Sequence, residues 1–174
     1  MKLTNQNKIK ILKLSKENLK FSAAHFLIFD PKHAERLHGH NYQVQVQFIF
    51  DESDLLTNQY GFFVDFKELK NLIQLELQKW DEYILLPKAC KEMKFKEKAI
   101  DGVKSLQVNF RDRVYVFPKK EVVLLPIVNT SVELLSELLC QNLWNAVQSF
   151  KIKGLKVYIE ETRGQGAEST NGQF

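Results

Sequence analysis

The chain contains only four histidines, and they fall within a span of sixteen residues: His25, His33, His38 and His40. The sharpest spacing is His38-Gly39-His40. In extended backbone, residues i and i+2 project from the same face, so two imidazoles at that spacing can converge on one ion. His25, on the apolar stretch before them, can supply a third nitrogen. Three imidazoles leave the fourth tetrahedral position open, which is the arrangement of a catalytic zinc site. Imidazole also suits other first-row metals, so zinc is read from ligand type and availability. The competing reading is a His-x-His pair that binds nothing. His33 reads as a surface histidine or as a further proton-transfer group.

The segments around these residues must position them. Ile9–Lys20 alternates loosely and predicts a first strand running into an apolar stretch, Phe21–Leu27. Asp30–Arg36 holds Asp, Pro and charged residues and reads as a loop. Asn41–Phe50 is the clearest strand: Tyr42, Val44, Val46, Phe48 and Phe50 take one face, and Asn41, Gln43, Gln45 and Gln47 the other. Asp51–Asn58 reads as a polar turn. Asp65 with Glu68 makes a capping box, followed by Phe66, Leu69, Leu72, Ile73 and Leu77 at helical spacing. Lys88–Lys104 shows no clear period and reads as an insertion, partly helical at most. Leu106–Phe110 and Arg113–Phe117 predict a hairpin turning at Arg111-Asp112, and Val122–Val128 a further extended segment. Thr130-Ser131-Val132-Glu133 is a second capping box, before a helix that buries Leu134, Leu135, Leu138, Leu139, Leu143 and Val147. After Gly154, Leu155–Ile159 alternates as a final strand, and the polar, Gly-rich stretch from Glu161 reads as a mobile tail. The pattern is α+β, an antiparallel sheet with two helices on one face and an inserted hairpin.

Length and composition bound the partners. The 174 residues suit one domain, 1–174, and 44% hydrophobic with 26% charged residues is the composition of a globular protein. The apolar run Val122–Val128 is too short to span a bilayer. Met1–Lys10 is polar with no apolar segment after it, so a cytoplasmic location is the expectation. The net charge of +4, spread over lysines such as Lys88, Lys91, Lys94, Lys96 and Lys98, fits an anionic small substrate and is too weak for a nucleic-acid interface. Cys90 and Cys140 are isolated, which points to free thiols, with Cys140 in the core.

Five segments occur in the order of one known family. Phe21-Ser22-Ala23-Ala24-His25, Leu37-His38-Gly39-His40-Asn41-Tyr42, Gly61-Phe62-Phe63-Val64-Asp65-Phe66, Asn129-Thr130-Ser131-Val132-Glu133 and Val157-Tyr158-Ile159-Glu160-Glu161-Thr162 together resemble the 6-pyruvoyl- and 6-carboxytetrahydropterin synthases. The resemblance implies the tunnelling fold, a β-β-α-α-β-β unit whose sheets join in an oligomeric barrel, typically a homohexamer, with zinc on the three histidines and a pterin pocket between subunits. It implies that Glu161 anchors the pterin ring, with Thr162 and Ser131 beside the pocket, Ser131 standing where the family has Thr.

Two departures bear on activity. The family carries a proton-transferring cysteine shortly before His-Gly-His; here Glu35 lies three residues before His38. That resembles a subgroup that cleaves the side chain of 7,8-dihydroneopterin triphosphate to 6-hydroxymethyl-7,8-dihydropterin. The family's Leu-Asp-His is Trp80-Asp81-Glu82, so Asp81 is kept and Glu82 replaces the histidine. The resemblance therefore implies a zinc-dependent lyase with Glu35, Asp81 and Glu82 as catalytic candidates. The alternatives are a 6-pyruvoyl- or 6-carboxytetrahydropterin synthase, a metal- and pterin-binding protein without turnover, or a β-rich structural oligomer. No nucleic acid and no membrane is implied.

Overall fold

The computed structural model describes residues 8–56 and 59–173. Most of the N-terminal stretch read for a leader, and the end of the Asp51–Asn58 turn, lie outside them. The fold is organised around one long strand, β3 (His38–Asp51). Its inner-face residues Tyr42, Val44, Val46, Phe48 and Phe50 are at most 2% exposed. That alternation fixes which face of the strand meets the core, because a one-residue slip would turn every side chain over. The second half of β3 pairs antiparallel with β1 (Ile9–Leu14), and the first half with β2 (Lys20–His25). The predicted strand Ile9–Lys20 is therefore two elements, broken by a turn in which Leu19 N–H bonds Lys16 C=O at 3.0 Å.

A short helix, α1 (Glu52–Leu56), occupies the segment read as a polar turn. Helix α2 (Phe66–Leu77) starts at Asp65, whose carboxylate accepts the Lys67 N–H at 2.8 Å. Strand β4 (Tyr83–Pro87) then returns to pair with β2, and α2 supplies the crossover that a parallel pair requires.

Three antiparallel strands follow: β5 (Met93–Ile100), β6 (Val103–Phe110) and β7 (Arg113–Pro118). The predicted hairpin is β6–β7, with its turn at Arg111-Asp112 as expected. Lys88–Lys104 is corrected from a periodless insertion to a loop and strand β5. Its period of two is masked because Lys94, Lys96 and Lys98 take one face while the opposite face holds Met93, Phe95 and the polar Glu97.

Strand β8 (Val122–Leu125) pairs parallel with β4. Helix α3 (Val132–Ala146) begins at Ser131, whose hydroxyl accepts the Leu134 N–H at 3.5 Å. The cap thus sits one residue later than the box read from Thr130, because the Thr130 side chain is buried and donates instead to Phe26 C=O at 3.1 Å. Strand β9 (Gly154–Thr162) lies along the far edge of β3, and β10 (Gln165–Gly172) along β9. The supposed tail is therefore a strand: its ladder to β9 needs only backbone groups, which side-chain polarity does not reveal.

The main sheet runs β10-β9-β3-β2-β4-β8, with β1 also on β3. It is antiparallel through its centre and parallel at β2-β4-β8, so the expected antiparallel sheet is mixed at one side. Helices α2 and α3 bury Leu69, Ile73, Leu77, Leu135, Leu139, Cys140 and Leu143 in one core with the inner face of β3 and β9. A second core joins the three-stranded sheet to Phe26 and Leu86 through Met93, Leu106, Val108 and Phe110. No helix among the described residues is long and apolar enough to cross a membrane.

Candidate metal centre and active site

The β2–β3 register sets His25 directly opposite His38 and Ala23 opposite His40. All three rings therefore emerge on the inner face, at the end of the sheet where the apolar alternation of β3 gives way to histidine. Ring centroids are 5.0 Å apart for His25 and His38, 5.3 Å for His25 and His40, and 4.7 Å for His38 and His40. One nitrogen from each ring lies within 4.8 Å of the others. Tetrahedral zinc bonds of roughly 2.0–2.1 Å imply nitrogens about 3.3 Å apart, so the rings would draw together on an ion.

Two tautomers follow from the hydrogen bonds. His25 Nδ1 lies 2.9 Å from Thr130 C=O, and His38 Nδ1 2.8 Å from Arg36 C=O. A carbonyl only accepts, so both Nδ1 atoms carry a proton, which leaves Nε2 as the atom through which either ring can offer a lone pair to the centre of the cluster. Burial lowers the pKa of His25, against the raising effect of the Thr130 bond and of Glu161. Around His25 Nε2 stand the Tyr42 hydroxyl at 3.0 Å and Glu161 Oε1 at 3.1 Å. Tyr42 also reaches Glu161 Oε1 at 3.1 Å, and burial, then Glu161, raise the tyrosine's pKa, so it stays protonated. One hydroxyl proton therefore faces the imidazole lone pair and the carboxylate oxygen, two acceptors. That surplus of lone pairs is what a bound cation satisfies, and the donor set fits zinc at His25, His38 and His40.

Glu35 stands at the edge of this cluster, its Oε2 3.8 Å from His38 Nε2 and its side chain 30% exposed. The same oxygen accepts the Leu27 N–H at 3.0 Å, and Glu35 N–H bonds Leu27 C=O at 2.9 Å. The loop closes on itself through an Ile28–Ala34 bridge, with Asp30 accepting the N–H groups of Lys32 and His33. Asn129 clasps its other side, accepting from Ile28 N–H at 3.2 Å and donating to Ile28 C=O at 3.0 Å.

The remaining candidates sit farther out. Glu161, on β9, faces His25 and lies 3.8 Å from His40 Nε2. Asp81 accepts the Ser22 N–H at 2.8 Å, and Glu82 N–H bonds Ser22 C=O at 2.7 Å, so both extend β4 along β2. Glu82 also lines a shallow hollow of about 340 Å³ with Gly39, His40 and Asn41. Ser131 caps α3, and Thr162 is exposed, bonded to Gln165 at 2.8 Å. His33 is exposed and paired with Asp30 at 2.6 Å. Sequence reasoning missed Tyr42, read only as core, although its place two residues after His40 puts it on the ligand face. It also missed the Thr130 carbonyl, for which no side chain speaks.

Comparison with known proteins decides the family. The sequence profile described as 6-pyruvoyl tetrahydropterin synthase matches residues 13–171. The chain belongs to this family. A Methanocaldococcus jannaschii protein, provisionally named a 6-carboxy-5,6,7,8-tetrahydropterin synthase, is 27% identical over 152 residues, 86% of this chain and 88% of that protein. The crystal structure of Plasmodium vivax 6-pyruvoyl tetrahydropterin synthase superposes with a TM-score of 0.83 at 23% identity, over 95% of this chain and 99% of that one. A variant of the same Plasmodium vivax protein, altered at a catalytic glutamate, gives 0.79 at 22% identity over the same shares. At these identities the structures show the fold: the α+β architecture of the 6-pyruvoyl tetrahydropterin synthases. Family membership makes this chain a pterin synthase-type lyase.

Proposed function

We propose that the chain is a zinc-dependent lyase acting on 7,8-dihydroneopterin triphosphate and cleaving its side chain to 6-hydroxymethyl-7,8-dihydropterin. The observation that carries the reading is the Glu35 carboxylate, 3.8 Å from His38 Nε2 at the mouth of a three-histidine cluster. The Plasmodium vivax relative uses a glutamate as a catalytic residue, since its variants replace that glutamate by alanine or cysteine. Glu35 holds the corresponding role by its place before His-Gly-His.

Zinc on His25, His38 and His40 would lower the pKa of a side-chain hydroxyl of the substrate. Glu35, at the edge of the histidine cluster, takes its proton. The electrons of the adjoining C–C bond pass into the C6=N5 imine of the reduced pterin. Glu35 then returns the proton to the carbon left on the ring, giving the hydroxymethyl group, while the rest of the side chain leaves as an aldehyde bearing the triphosphate. Glu161 holds the pterin's amidine edge by two parallel hydrogen bonds, with Tyr42 orienting its carboxylate and Ser131 and Thr162 flanking the ring. Asp81 and Glu82 assist proton transfer from the rim. The substrate site is completed in a homohexamer.

The name of the Methanocaldococcus jannaschii relative favours a second reading, a 6-carboxytetrahydropterin synthase. Product analysis separates the two. Purified protein given dihydroneopterin triphosphate should accumulate 6-hydroxymethyl-7,8-dihydropterin, and Glu35→Ala should lower the rate by a factor on the order of a hundred or more. A carboxylated or pyruvoyl product would replace this reading with the second, and metal-loaded protein that turns over no pterin would refute catalysis.

A further inference from the structure

We propose that Arg113, assisted by Arg111, is a positioning residue for Glu35, so that the three-stranded sheet β5–β7 serves to set the catalytic carboxylate. The proposal rests on the reading of Glu35 as the base. Two side chains from the β6–β7 hairpin reach across to the Glu35 loop. Arg113 donates through Nη1 to Glu35 C=O and through Nη2 to Ala34 C=O, the latter at 3.1 Å. Arg111 donates through Nη2 to Asp30 C=O and through Nε to Glu92 at 2.7 Å, with its guanidinium 4.5 Å above the Phe110 ring. Beneath them Phe26, at the root of the loop, packs on Phe110 and Tyr115 with ring centroids at 5.4 and 5.8 Å.

Apolar packing and the Glu35 N–H bond to Leu27 C=O hold the loop near the sheet, and the guanidinium adds a grip on the peptide that follows Glu35. A guanidinium is a rigid planar fork. When it binds two consecutive carbonyls, it fixes the orientation of both peptides that flank the Glu35 Cα, Ala34–Glu35 and Glu35–Arg36, and hence the direction in which the Glu35 side chain leaves the backbone. The geometry divides the labour cleanly. Arg113 takes main-chain oxygens, while the Glu35 carboxylate is turned the other way, to Leu27 N–H and His38. Asn129 grips the opposite strand of the loop at Ile28, so the loop is held from both sides and Arg113 controls the side that carries the carboxylate. Displacement of a catalytic group by about 1 Å can cost on the order of a hundredfold in rate.

The test compares Arg113→Ala, Arg113→Lys, Glu35→Ala and the Arg113→Ala/Glu35→Ala double variant, measuring kcat and KM with dihydroneopterin triphosphate, zinc content, and amide exchange across residues 27–36. Arg113→Ala should lose about ten- to a hundredfold in kcat, with KM and zinc content little changed. Exchange at Leu27 and Glu35 should rise while β3 and α3 stay protected. Arg113→Lys, with a point charge in place of the fork, should recover part of the rate. In the double variant the arginine change should add nothing, because the group it positions is gone. Equal losses with and without Glu35, or unchanged exchange at residues 27–36, would overturn the proposal. If Arg113→Ala does not fold, Arg113→Lys carries the same arms, and wild-type kcat and exchange in it would overturn the proposal as well. Full turnover in Glu35→Ala would remove the base assignment itself, whereas an inactive Glu35→Ala beside a fully active Arg113→Ala would remove the clamp alone.

Discussion

His25, His38 and His40 differ in what the fold invests in them. His25 is fully buried, His40 has a side chain 20% exposed, and His38 is the most open at 38%. His38 is therefore the proposed ligand to remove without disturbing the core. His38→Ala should fold with a near-native melting curve yet retain far less than one zinc per chain after dialysis, as read by atomic emission; full zinc retention would take His38 out of the ligand set. In the core that α3 shares with the sheet, Cys140 is buried and its thiol pKa is pushed up to about 11 by burial, with Glu137 adding to it. The unfolded thiol loses its proton first as pH rises past the ordinary value of 9.0. The Cys140 contribution to stability is thus present below that value and lost between it and about 11. Alkylation of native protein at mildly basic pH should spare Cys140 until denaturant is added, and intact-mass analysis showing both cysteines modified in the native state would contradict this.

At the scale of elements, the strand that closes the sheet is the one whose polarity hid it. β10 lies so tightly on β9 that a Cβ at Gly166 would fall 2.3 Å from Ile159 C=O and 2.7 Å from the Tyr158 ring. Gly166→Ala should therefore push β10 outward at a cost of about 1–3 kcal/mol, visible as a lower denaturation midpoint and faster exchange in Ala167–Asn171. An unchanged midpoint would mean the strand can shift without penalty. Three other elements follow from local chemistry. Alternation in β3, the Asp65 cap, and the heptad-like leucines of α3 are each sufficient to place their elements. β5 and the parallel pairing of β4 are not, since lysine-rich alternation and crossover direction depend on what covers the sheet.

The whole chain leaves apolar side chains uncovered along one side. Ile9 and Ile11 of β1 are about half exposed, as is Phe66, and Ile11, Leu12, Phe63 and Val64 line a cavity of about 560 Å³. Grouped exposed apolar side chains are the kind of surface a protein contact covers, and the proposed homohexamer would cover them. Light scattering and native mass spectrometry should find six chains per particle, with Ile11→Lys shifting the distribution to smaller species. A wild-type monomer at micromolar concentration would sink the hexamer and the shared pterin pocket with it.

The sequence by itself singled out the three histidines that the fold brings together, the central strand and both long helices. His-x-His on an alternating strand, and leucines at helical spacing behind a capping residue, are local patterns whose meaning does not depend on distant chain. It also singled out Glu35 and Glu161, though only through the company of ordered motifs. Tertiary structure alone decided how those residues meet. The β2–β3 register brings His25 opposite His38, the Thr130 carbonyl sets the His25 tautomer, and Arg113 reaches across from the inserted sheet to the Glu35 loop. Those three are backbone or long-range contacts, between residues 13, 105 and 78 positions apart. A residue's type records what it can bond to; only the folded chain fixes which carbonyl or strand lies within reach.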